Sequence, residues 1–266
     1  MRGGPIHCSE ARRPVIHLPA PLINGTLIRR YKRFLADVAI ADGRGGTRVV
    51  TAHCADPGRL PDLAVEGAAV RLSTSSDPGR KLVHRVELIR QAGVWVGADT
   101  ANANRLVAHA LGRPDPSAPV TAAVRHLHQA LPPFIAVRAE VAVETGTRLD
   151  FVLDGADGSP VFLEVKNVTW RRRTASTDRG EFPDAPTLRG TRHLRFLTGR
   201  AAAGESAVLL FVAQRPDIDT LTVAADIDPA YAAAMEEARR AGVRVLAYRC
   251  EINHEAIFMA GEIAFV

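Results

Sequence analysis

The segment TRLDFVLDGADGSPVFLEVKNV, residues 147–168, decides the fold because it carries charge inside two apolar runs. The turn GADGS, residues 155–159, separates these runs and predicts a β-hairpin. Symmetric pairing about this turn places Asp150 opposite Glu164, with Cα atoms about 4.5–5.5 Å apart on one face of the hairpin. Lys166 lies two residues beyond Glu164 and shares that face, roughly 6.6 Å along the strand. The sequence therefore predicts that two carboxylates and an ammonium group meet at one point.

These three side chains are suited to metal-dependent chemistry on a phosphate. Two carboxylates at this distance raise each other's pKa unless a cation neutralises them. Mg²⁺, or Mn²⁺ in its place, meets this need, since each takes oxygen ligands from protein carboxylates and from phosphates. The lysine would orient the attacking water or stabilise charge on the phosphate. We therefore predict a phosphodiesterase site; the alternative is a salt-bridge ladder on a solvent-facing hairpin.

The apolar residues around the three charges argue against the solvent-facing alternative. Val152 and Phe162 share the face of the charged residues. Because neither face is patterned as a solvated surface, we expect the hairpin to be buried on both sides. The other face is expected to be filled by Leu149, Phe151, Leu163 and Val165.

Composition narrows the classes of protein to which this chain can belong. Its 266 residues and 47% hydrophobic content are enough for one large domain or two modest ones. With 34 Lys and Arg against 29 Asp and Glu, the net charge of +5 favours a polyanionic partner. No apolar stretch approaches the roughly 20 residues that cross a bilayer, so we expect no membrane partner. An N-terminus without a continuous apolar segment predicts a cytoplasmic protein rather than a secreted one.

The cysteines also favour the reducing cytoplasm. Cys8, Cys54 and Cys250 are odd in number and far apart, with no CxxC motif. This spacing argues against a disulfide framework and against a zinc knuckle. His53 precedes Cys54, but no second ligand pair lies at zinc spacing, so we expect a structural role for both residues.

Turn residues and periodicity divide the chain into three parts. Residues 1–18 are rich in Gly, Pro and Arg, which predicts a flexible tail. Residues 19–97 hold short strands without a long helical pattern, which predicts a small barrel or sandwich. Residues 98–266 begin with two helical segments, at 100–112 and 118–132, and then alternate between sheet and helix. This order predicts an α/β domain with helices flanking a central sheet.

The α/β part has clear element boundaries. Asp228 predicts a helix N-cap, Pro229 the first turn of that helix and Gly242 its end. The other expected elements are, in order, a strand at 135–143, the hairpin, a polar loop at 169–186, a helix at 187–203, a buried strand at 206–214 and a final strand at 243–252.

Two basic clusters predict contacts to nucleic acid. The first cluster, residues 29–34, combines Arg and Lys, which hold phosphates, with aromatic rings, which stack on bases; this combination suits single-stranded or flexible nucleic acid. The alternative is a basic strand edge that prevents aggregation. The second cluster directly follows the strand of Glu164, and this position favours phosphate contacts over an ordinary solvated run. The members are Arg29, Arg30, Tyr31, Lys32, Arg33 and Phe34 in the first cluster, and Arg171, Arg172 and Arg173 in the second.

Three further polar residues are candidates for the same site. Glu140 lies on the polar face of an apolar strand and is either a third acidic ligand or exposed. His193, on the helix after the polar loop, either faces the site or packs in the core. Gln214 ends a buried strand, a position that often marks a cleft. The sequence lacks GxxxxGK, GxGxxG after a strand, and GxSxG, which excludes the usual motifs of nucleotide hydrolysis, dinucleotide binding and serine chemistry.

Taken together, these segments resemble the sugar fermentation stimulation protein A family. The resemblance runs from about Leu18 to the C-terminus and is carried, in order, by LIRRYKRFLADV, HC…PGR, NANRL, TRLDFVL, FLEVKNVT, FPDAPTLRGTRHL and RAGVRVLAYRCEI. It implies an OB-like barrel at 19–97 and, at 98–266, an α/β (α+β) domain similar to the PD-(D/E)xK nucleases. One departure is HCADPG, residues 53–58, where the family has HCPNTG.

The resemblance also implies a function. Asp150, Glu164 and Lys166 match the nuclease-like signature, with the two carboxylates as ligands of Mg²⁺ or Mn²⁺. We expect a DNA-binding protein, with DNA preferred over RNA, and a nuclease-like site. The alternatives are a non-catalytic DNA-binding regulator linked to sugar metabolism and a structural protein with an ion-pair network; the oligomeric state stays open, a homodimer included. The positions that the family places near the site are occupied by Glu140, His193 and Gln214.

Overall fold

The first half of the chain folds as a closed β-barrel. The computed structural model describes residues 15–112, 121–173 and 178–266. Five strands run in the order β4, β3, β2, β5 and β6, and β4 pairs with β6 to close the barrel, which confirms the predicted barrel. The barrel half consists of β2 (Ile23–Tyr31), β3 (Leu35–Ala41), β4 (Thr47–Cys54), β5 (Ala69–Thr74), β6 (His84–Gln91) and β7 (Val94–Gly97). Two flanking elements, β1 (Val15–His17) before the barrel and α1 (Ala101–Leu111) after it, belong to the second half of the fold.

Strand alternation explains the interior of the barrel. Along β3, the side chains of Ala36, Val38 and Ile40 enter the barrel core, as the two-residue period of a strand requires. They pack there with Leu27 of β2. A bulge in β2 between Leu27 and Arg29 bends that strand, and such bends help a small sheet to close on itself.

The second half builds a mixed sheet of seven strands. Its order is β1, β16, β15, β13, β10, β9 and β8, and β10, β13 and β15 are parallel. The elements are α2 (Ala122–Ala130), β8 (Phe134–Glu144), β9 (Thr147–Gly155), β10 (Pro160–Val168), β11 (Arg171–Arg173), β12 (Asp178–Phe182), α3 (Leu188–Ala202), β13 (Ser206–Ala213), β14 (Thr220–Val223), α4 (Pro229–Ala241), β15 (Arg244–Ile252), β16 (Ala256–Glu262) and β17 (Ala264–Phe265).

Helices cover both faces of this sheet, which confirms the predicted α/β architecture. The central strand β13 is apolar from Ala207 to Ala213 because both of its faces are buried there. Val208 and Leu210 pack with residues of α1 and α2, whereas Leu209 and Phe211 pack with residues of α3 and α4. No helix in the described part of the chain combines the length and apolarity needed to cross a bilayer.

Three of the element predictions were wrong. Residues 169–186, predicted as a polar loop, contain β11 and β12, which join β14 and β17 in a small four-stranded sheet. The end of the predicted tail forms β1, which pairs with β16, and Leu18 beside it is buried. The predicted final strand, β15, is followed by β16 and β17. β1, β11, β12 and β17 have only two to five residues, too few for a periodic pattern to be visible. β16 has seven residues and pairs with the preceding β15, so its length does not explain why it was missed.

Some sequence predictions concern residues that the structure does not describe. The predicted flexible tail over residues 1–14, with Cys8, lies outside the described residues, as do residues 118–120 of the second predicted helical segment. Cys54 and Cys250 are free thiols, and each is buried in a hydrophobic cluster.

Candidate functional site

The β9–β10 hairpin has the register that the sequence predicts. Its last regular pair is Leu163 with Phe151, and the next step of this register places Asp150 opposite Glu164. At this pair, hydrogen bonds between backbone N–H groups and the two side-chain carboxyl groups replace the backbone-to-backbone hydrogen bonds of the hairpin. The backbone N–H of Val165 donates to Asp150 Oδ2 at 2.8 Å, and that of Asp150 lies 3.4 Å from Glu164 Oε2. Both carboxyl groups are thus held by the hairpin backbone.

Regular alternation in β9 ends at this point. Leu149 is buried with Val152 and Phe162, on the face opposite to the one predicted for it. The neighbouring strand is also irregular, because Glu140 has a φ of +53° where it faces Asp150. The prediction for Leu149 was therefore wrong, since the strand twists at the residue that carries the carboxylate.

Glu164 is buried, and one of its carboxylate oxygens accepts two hydrogen bonds. Its Oε1 accepts hydrogen bonds from Lys166 Nζ at 2.5 Å and from His193 Nδ1. Arg189 Nε donates to His193 Nε2 at 3.4 Å, so Nδ1 carries the proton that faces Glu164. Burial acts to raise the pKa of Glu164, but the charge of Lys166 and the His193 hydrogen bond outweigh it and leave this pKa below its ordinary value. Of the two alternatives for His193, the hydrogen bond to Glu164 agrees with the one in which the ring faces the site.

The pKa of Asp150 moves in the opposite direction. It rises to about 6, first because the carboxyl group is buried and next because Glu164 is negatively charged. The hydrogen bond from Val165 and the charge of Lys166 oppose this rise only in part. Asn104 Nδ2 donates to the free oxygen, Asp150 Oδ1, at 2.7 Å. Because the cationic and histidine donors contact Glu164, that residue keeps the negative charge, whereas Asp150 changes protonation near neutral pH.

The two carboxyl groups open into a cleft between the barrel and the mixed sheet. Its volume is about 1050 Å³. The β2–β3 turn forms one wall and the start of α3 another, so both halves of the chain contribute. The lining includes Tyr31, Lys32, Arg33 and Asp56 from the barrel, and Asn104, Asp150, Glu164, Lys166, Asn167, Trp170, Thr187 and Arg189 from the second half.

The basic β2–β3 hairpin divides its predicted binding residues between two roles. Arg29 Nε donates to Asp37 at 2.8 Å, and Arg30 donates to the carbonyl oxygen of Asp56 at 2.6 Å. Both arginines are thus held against the barrel, and Arg30 also lines the cleft. Lys32 and Arg33 lie exposed at the tip of the hairpin and line the cleft, as does the half-buried Tyr31.

The second basic cluster does not form a free phosphate-binding surface. Arg171 pairs with Asp217 at 2.5 Å. Arg172 pairs with Asp226 at 2.8 Å and stacks on the ring of Trp170, 4.3 Å from its centroid. Only Arg173 of the three is exposed. Phosphate contacts by Arg171 and Arg172 remain a prediction, and a phosphate would have to compete there with carboxylates that are distant in sequence.

Glu140 stands apart from the other candidate residues. It lies between the pairs Ala139–Phe151 and Val141–Leu149, hence opposite Asp150 in the register. Its side chain is exposed, and it is not among the described residues that line the cleft. The exposed alternative, rather than the third acidic ligand, agrees with this geometry.

Gln214 lies beneath the cleft and joins the two halves of the chain. Its Nε2 donates to Asn167 Oδ1 at 2.6 Å and to the carbonyl oxygen of Asp99 at 2.7 Å. Asn167 in turn donates to Asp56 Oδ2 at 3.3 Å. Gln214 therefore contacts neither carboxyl group of the site. Its partners, Asn167 and Asp99, were not predicted from the sequence.

Asp150 and Glu164 are the residues best placed to bind a metal ion. Among the described residues, no three His, Cys, Asp or Glu side chains are grouped as a metal cage. Two hard oxygen donors fit Mg²⁺, which binds proteins through one or two carboxylates and completes its shell with waters and phosphate oxygens. The raised pKa of Asp150 beside a second negative charge also fits a site that gains from a cation.

Comparisons with known proteins agree with the fold of a barrel followed by an α/β domain. A model described as the N-terminal OB domain of the sugar fermentation stimulation protein matches residues 28–98, and one described as its RE domain matches residues 101–256. The homologue from Maricaulis maris is 42% identical over 241 residues, covering 91% of this chain and 94% of its own. The homologue from Caulobacter vibrioides is 39% identical over 249 residues, covering 92% of this chain and 95% of its own.

A solved structure has the same fold. The SfsA protein of Pyrococcus furiosus, in complex with Ca²⁺, is 23% identical and superposes with a TM-score of 0.77, covering 96% of this chain and 100% of its own. On the two domain matches and the two homologues, the chain belongs to the sugar fermentation stimulation protein family.

Proposed function

We propose that this protein binds DNA in the cleft and hydrolyses its phosphodiester bonds with a divalent metal ion held by Asp150 and Glu164. The observation that carries the proposal is the meeting of these carboxyl groups with Lys166 in a cleft whose rim bears Lys32 and Arg33. The relative from Pyrococcus furiosus is described in complex with Ca²⁺, a cation that takes the same oxygen ligands as Mg²⁺ and Mn²⁺. The cytoplasm is the proposed location.

The residues of the chain would divide the work between them. A bound cation would polarise the phosphate and lower the pKa of the attacking water. Lys166 lies against Glu164 Oε1, where its ammonium group is placed to stabilise negative charge on a phosphate oxygen. His193 fixes the orientation of Glu164, and Asn104 fixes that of Asp150. Because the pKa of Asp150 is about 6, its carboxyl group is available as an anion above neutral pH.

The test is to remove each carboxylate while keeping its shape. Asp150→Asn and Glu164→Gln are expected to abolish cleavage of labelled single- and double-stranded DNA and RNA in Mg²⁺ or Mn²⁺. Binding without metal should persist or strengthen, because one negative charge near the phosphate is gone. Asp154→Asn is the matched control, since it makes the same change on the same strand at a half-buried residue that pairs with Arg138 and does not line the cleft.

A non-catalytic DNA-binding regulator linked to sugar metabolism is the second candidate. Two features favour it: Glu164 already accepts from Lys166 and His193, and the described residues offer no three-residue metal cage. A regulator binds DNA but leaves it intact. Wild-type protein that binds DNA and never cuts it, with every metal and substrate tried, would therefore replace the nuclease with the regulator.

A further inference from the structure

The outward side of α3 is strongly basic. The helix holds four arginines, and no Asp or Glu occurs between Leu188 and Ala202. Arg189, Arg192 and Arg195 are exposed and repeat every third residue, so they follow one side of the helix. We name these three residues the arginine face. Within the described part of the chain, none of them forms an ion pair with a carboxylate, whereas Arg200 pairs with Glu205.

Local energetics oppose such a face. Like charges three residues apart destabilise a helix. Arg189 also lies in the first turn, where the positive end of the helix dipole disfavours a cation. Conflicts of this kind between local preference and the observed sequence are expected at functional surfaces. The arginine face therefore needs an anionic partner that structural stability does not provide.

The arginine face continues directly from the cleft. Thr187, the N-cap of α3, and Arg189 belong to the cleft lining. Further along the helix, a separate groove of about 390 Å³ is lined by Glu144, Arg192, Arg195, Phe196, Gly199 and Arg200. Because Arg200 pairs with Glu205, Arg192 and Arg195 face the single carboxylate Glu144 and leave the groove with an excess of positive charge that suits an anion. A polyanion bound in the cleft would therefore contact the arginine face where the polyanion extends beyond the cleft.

The length of the arginine face suits the second backbone of a duplex. Arg189 and Arg195 are six residues apart, which corresponds to about 9 Å along the helix. The two phosphate backbones of B-DNA are separated by grooves about 6 Å and about 12 Å wide. Arg189 contacts His193, which contacts Glu164, so the arginine face begins beside the carboxylates and extends over about the distance that separates the two backbones of a duplex.

We propose that the arginine face binds the phosphate backbone of the complementary strand of a double-stranded nucleic acid. This inference rests on the proposed function, because it takes the first strand to lie in the cleft. It goes further in naming the form of the substrate: a duplex gains contacts on α3 that a single strand does not make.

The experiment compares duplex and single-strand binding over a series of salt concentrations. EDTA is present throughout, so that cleavage does not interfere. Arg192→Gln/Arg195→Gln is the test variant; glutamine keeps helix propensity and removes the charge. The control is Arg239→Gln/Arg240→Gln, because these exposed arginines on α4 lie next to Glu236 and Glu237. Thermal unfolding of each variant verifies that it is folded.

The expected result is specific to the duplex. Its log–log salt slope should fall by about 0.9 for each lost phosphate contact, while the slope for single strands and the control variant stay unchanged. Equal losses for both forms, or no loss for the duplex, would overturn the inference. Wild-type protein that binds single strands but no duplex would also overturn it and leave the proposed function standing. Wild-type protein that binds neither form would overturn both.

Discussion

Lys166 decides which of two buried carboxyl groups keeps its negative charge. Its ammonium group contacts Glu164 at 2.5 Å, and the same residue receives the hydrogen bond of His193. Asp150 receives only neutral donors, from Asn104 and from the backbone of Val165. The pKa values of the pair therefore separate: that of Glu164 falls below its ordinary value, and that of Asp150 rises to about 6. Two adjacent carboxyl groups thereby acquire different protonation behaviour.

Replacing Lys166 with glutamine tests this division of roles. Gln keeps a hydrogen-bond donor near Glu164 but removes the charge, so the pKa values of both carboxyl groups should rise. We expect the cleavage rate to fall by roughly 10²–10³-fold, the usual effect of losing one stabilising group in the transition state. Binding of Ca²⁺ is expected to raise the unfolding temperature of the wild type, and this rise should remain in the variant because both oxygen ligands are intact. A variant that cleaves at the wild-type rate would exclude Lys166 from the reaction.

A single carboxylate links two helices at the element scale. Asp228 Oδ1 accepts from the backbone N–H of Tyr231 at 3.0 Å and so caps α4. Its Oδ2 accepts from the backbone N–H of Thr187 at 2.8 Å, and Thr187 caps α3 through its own hydroxyl oxygen. Since α3 carries His193, this carboxylate also fixes the helix that orients Glu164.

Asp228→Ala is therefore expected to affect stability and the site together. Loss of an N-cap costs about 0.5–2 kcal/mol of unfolding free energy, and here the start of α3 loses a bond as well. Asp228→Asn keeps one acceptor oxygen and should cost less. Chemical denaturation measures both free energies, and cleavage assays follow the effect on α3. An Asp228→Asn variant as stable as wild type would mean that the second bond, to Thr187, contributes nothing.

The sequence predicts the elements whose signals are local. The cap at Asp228 and the left-handed Gly242 at the end of α4 are confirmed. So is the hairpin register, because a short turn fixes which residues pair. The small sheet of β11, β12, β14 and β17 was missed, since its strands have two to five residues and mostly pair across long sequence separations. No periodicity is visible over so few residues.

The same limit applies to the site. Asp150, Glu164 and Lys166 lie in one hairpin, so their meeting follows from a local register. Asn104 is 46 residues from Asp150, and Asp56 is 111 residues from Asn167. Such contacts depend on how the barrel and the mixed sheet pack together. The NANRL segment and the departure from HCPNTG at Asp56 were visible in the sequence, but neither one names its partner.

At the scale of the whole molecule, the cleft exists because the two halves are joined on several sides. Asp184 Oδ2 accepts from the backbone N–H of Leu60 at 2.9 Å. Gly58 allows this approach, since a Cβ there would lie 2.4 Å from the same oxygen. On the opposite side, Gly97 N–H donates to the carbonyl oxygen of Gln214 at 2.9 Å. The barrel thus presents its basic hairpin to the carboxylates in a fixed position.

The tip of that hairpin combines charge with backbone strain. Lys32 and Arg33 have φ values of +49° and +64°, a region that costs a residue with a side chain about 1–2 kcal/mol. Asn and Gly adopt positive φ more readily, so Lys32→Asn/Arg33→Gly should raise the unfolding temperature. Loss of both charges should weaken DNA binding and reduce the slope of log affinity against log salt concentration by about 0.9 per lost phosphate contact. Ala92→Gly is the control: Ala92 has a φ of +48° in a turn without charge, so relief of strain there should leave binding unchanged. Unaltered binding by the double variant would assign the basic tip to the prevention of aggregation.

Asp56, at the junction of the two halves, should make stability depend on pH. Its pKa rises from 3.8 to about 6, chiefly because the carboxyl group is buried against Asn167 and Gly58, and Asp184 adds a negative charge nearby. The folded chain then holds the proton more tightly than the unfolded chain. The resulting stability is complete below pH 3.8 and is lost as pH rises through about 6. Asp56→Asn removes this titration. As pH rises from 4 to 7, the unfolding free energy of the variant should therefore increase relative to that of the wild type by up to about 3 kcal/mol. Chemical denaturation of both proteins over that pH range measures the difference in their unfolding free energies, and the contributions of titrating groups that both proteins share cancel in this difference. A difference that stays constant with pH would show that Asp56 is ionised at no cost to the fold.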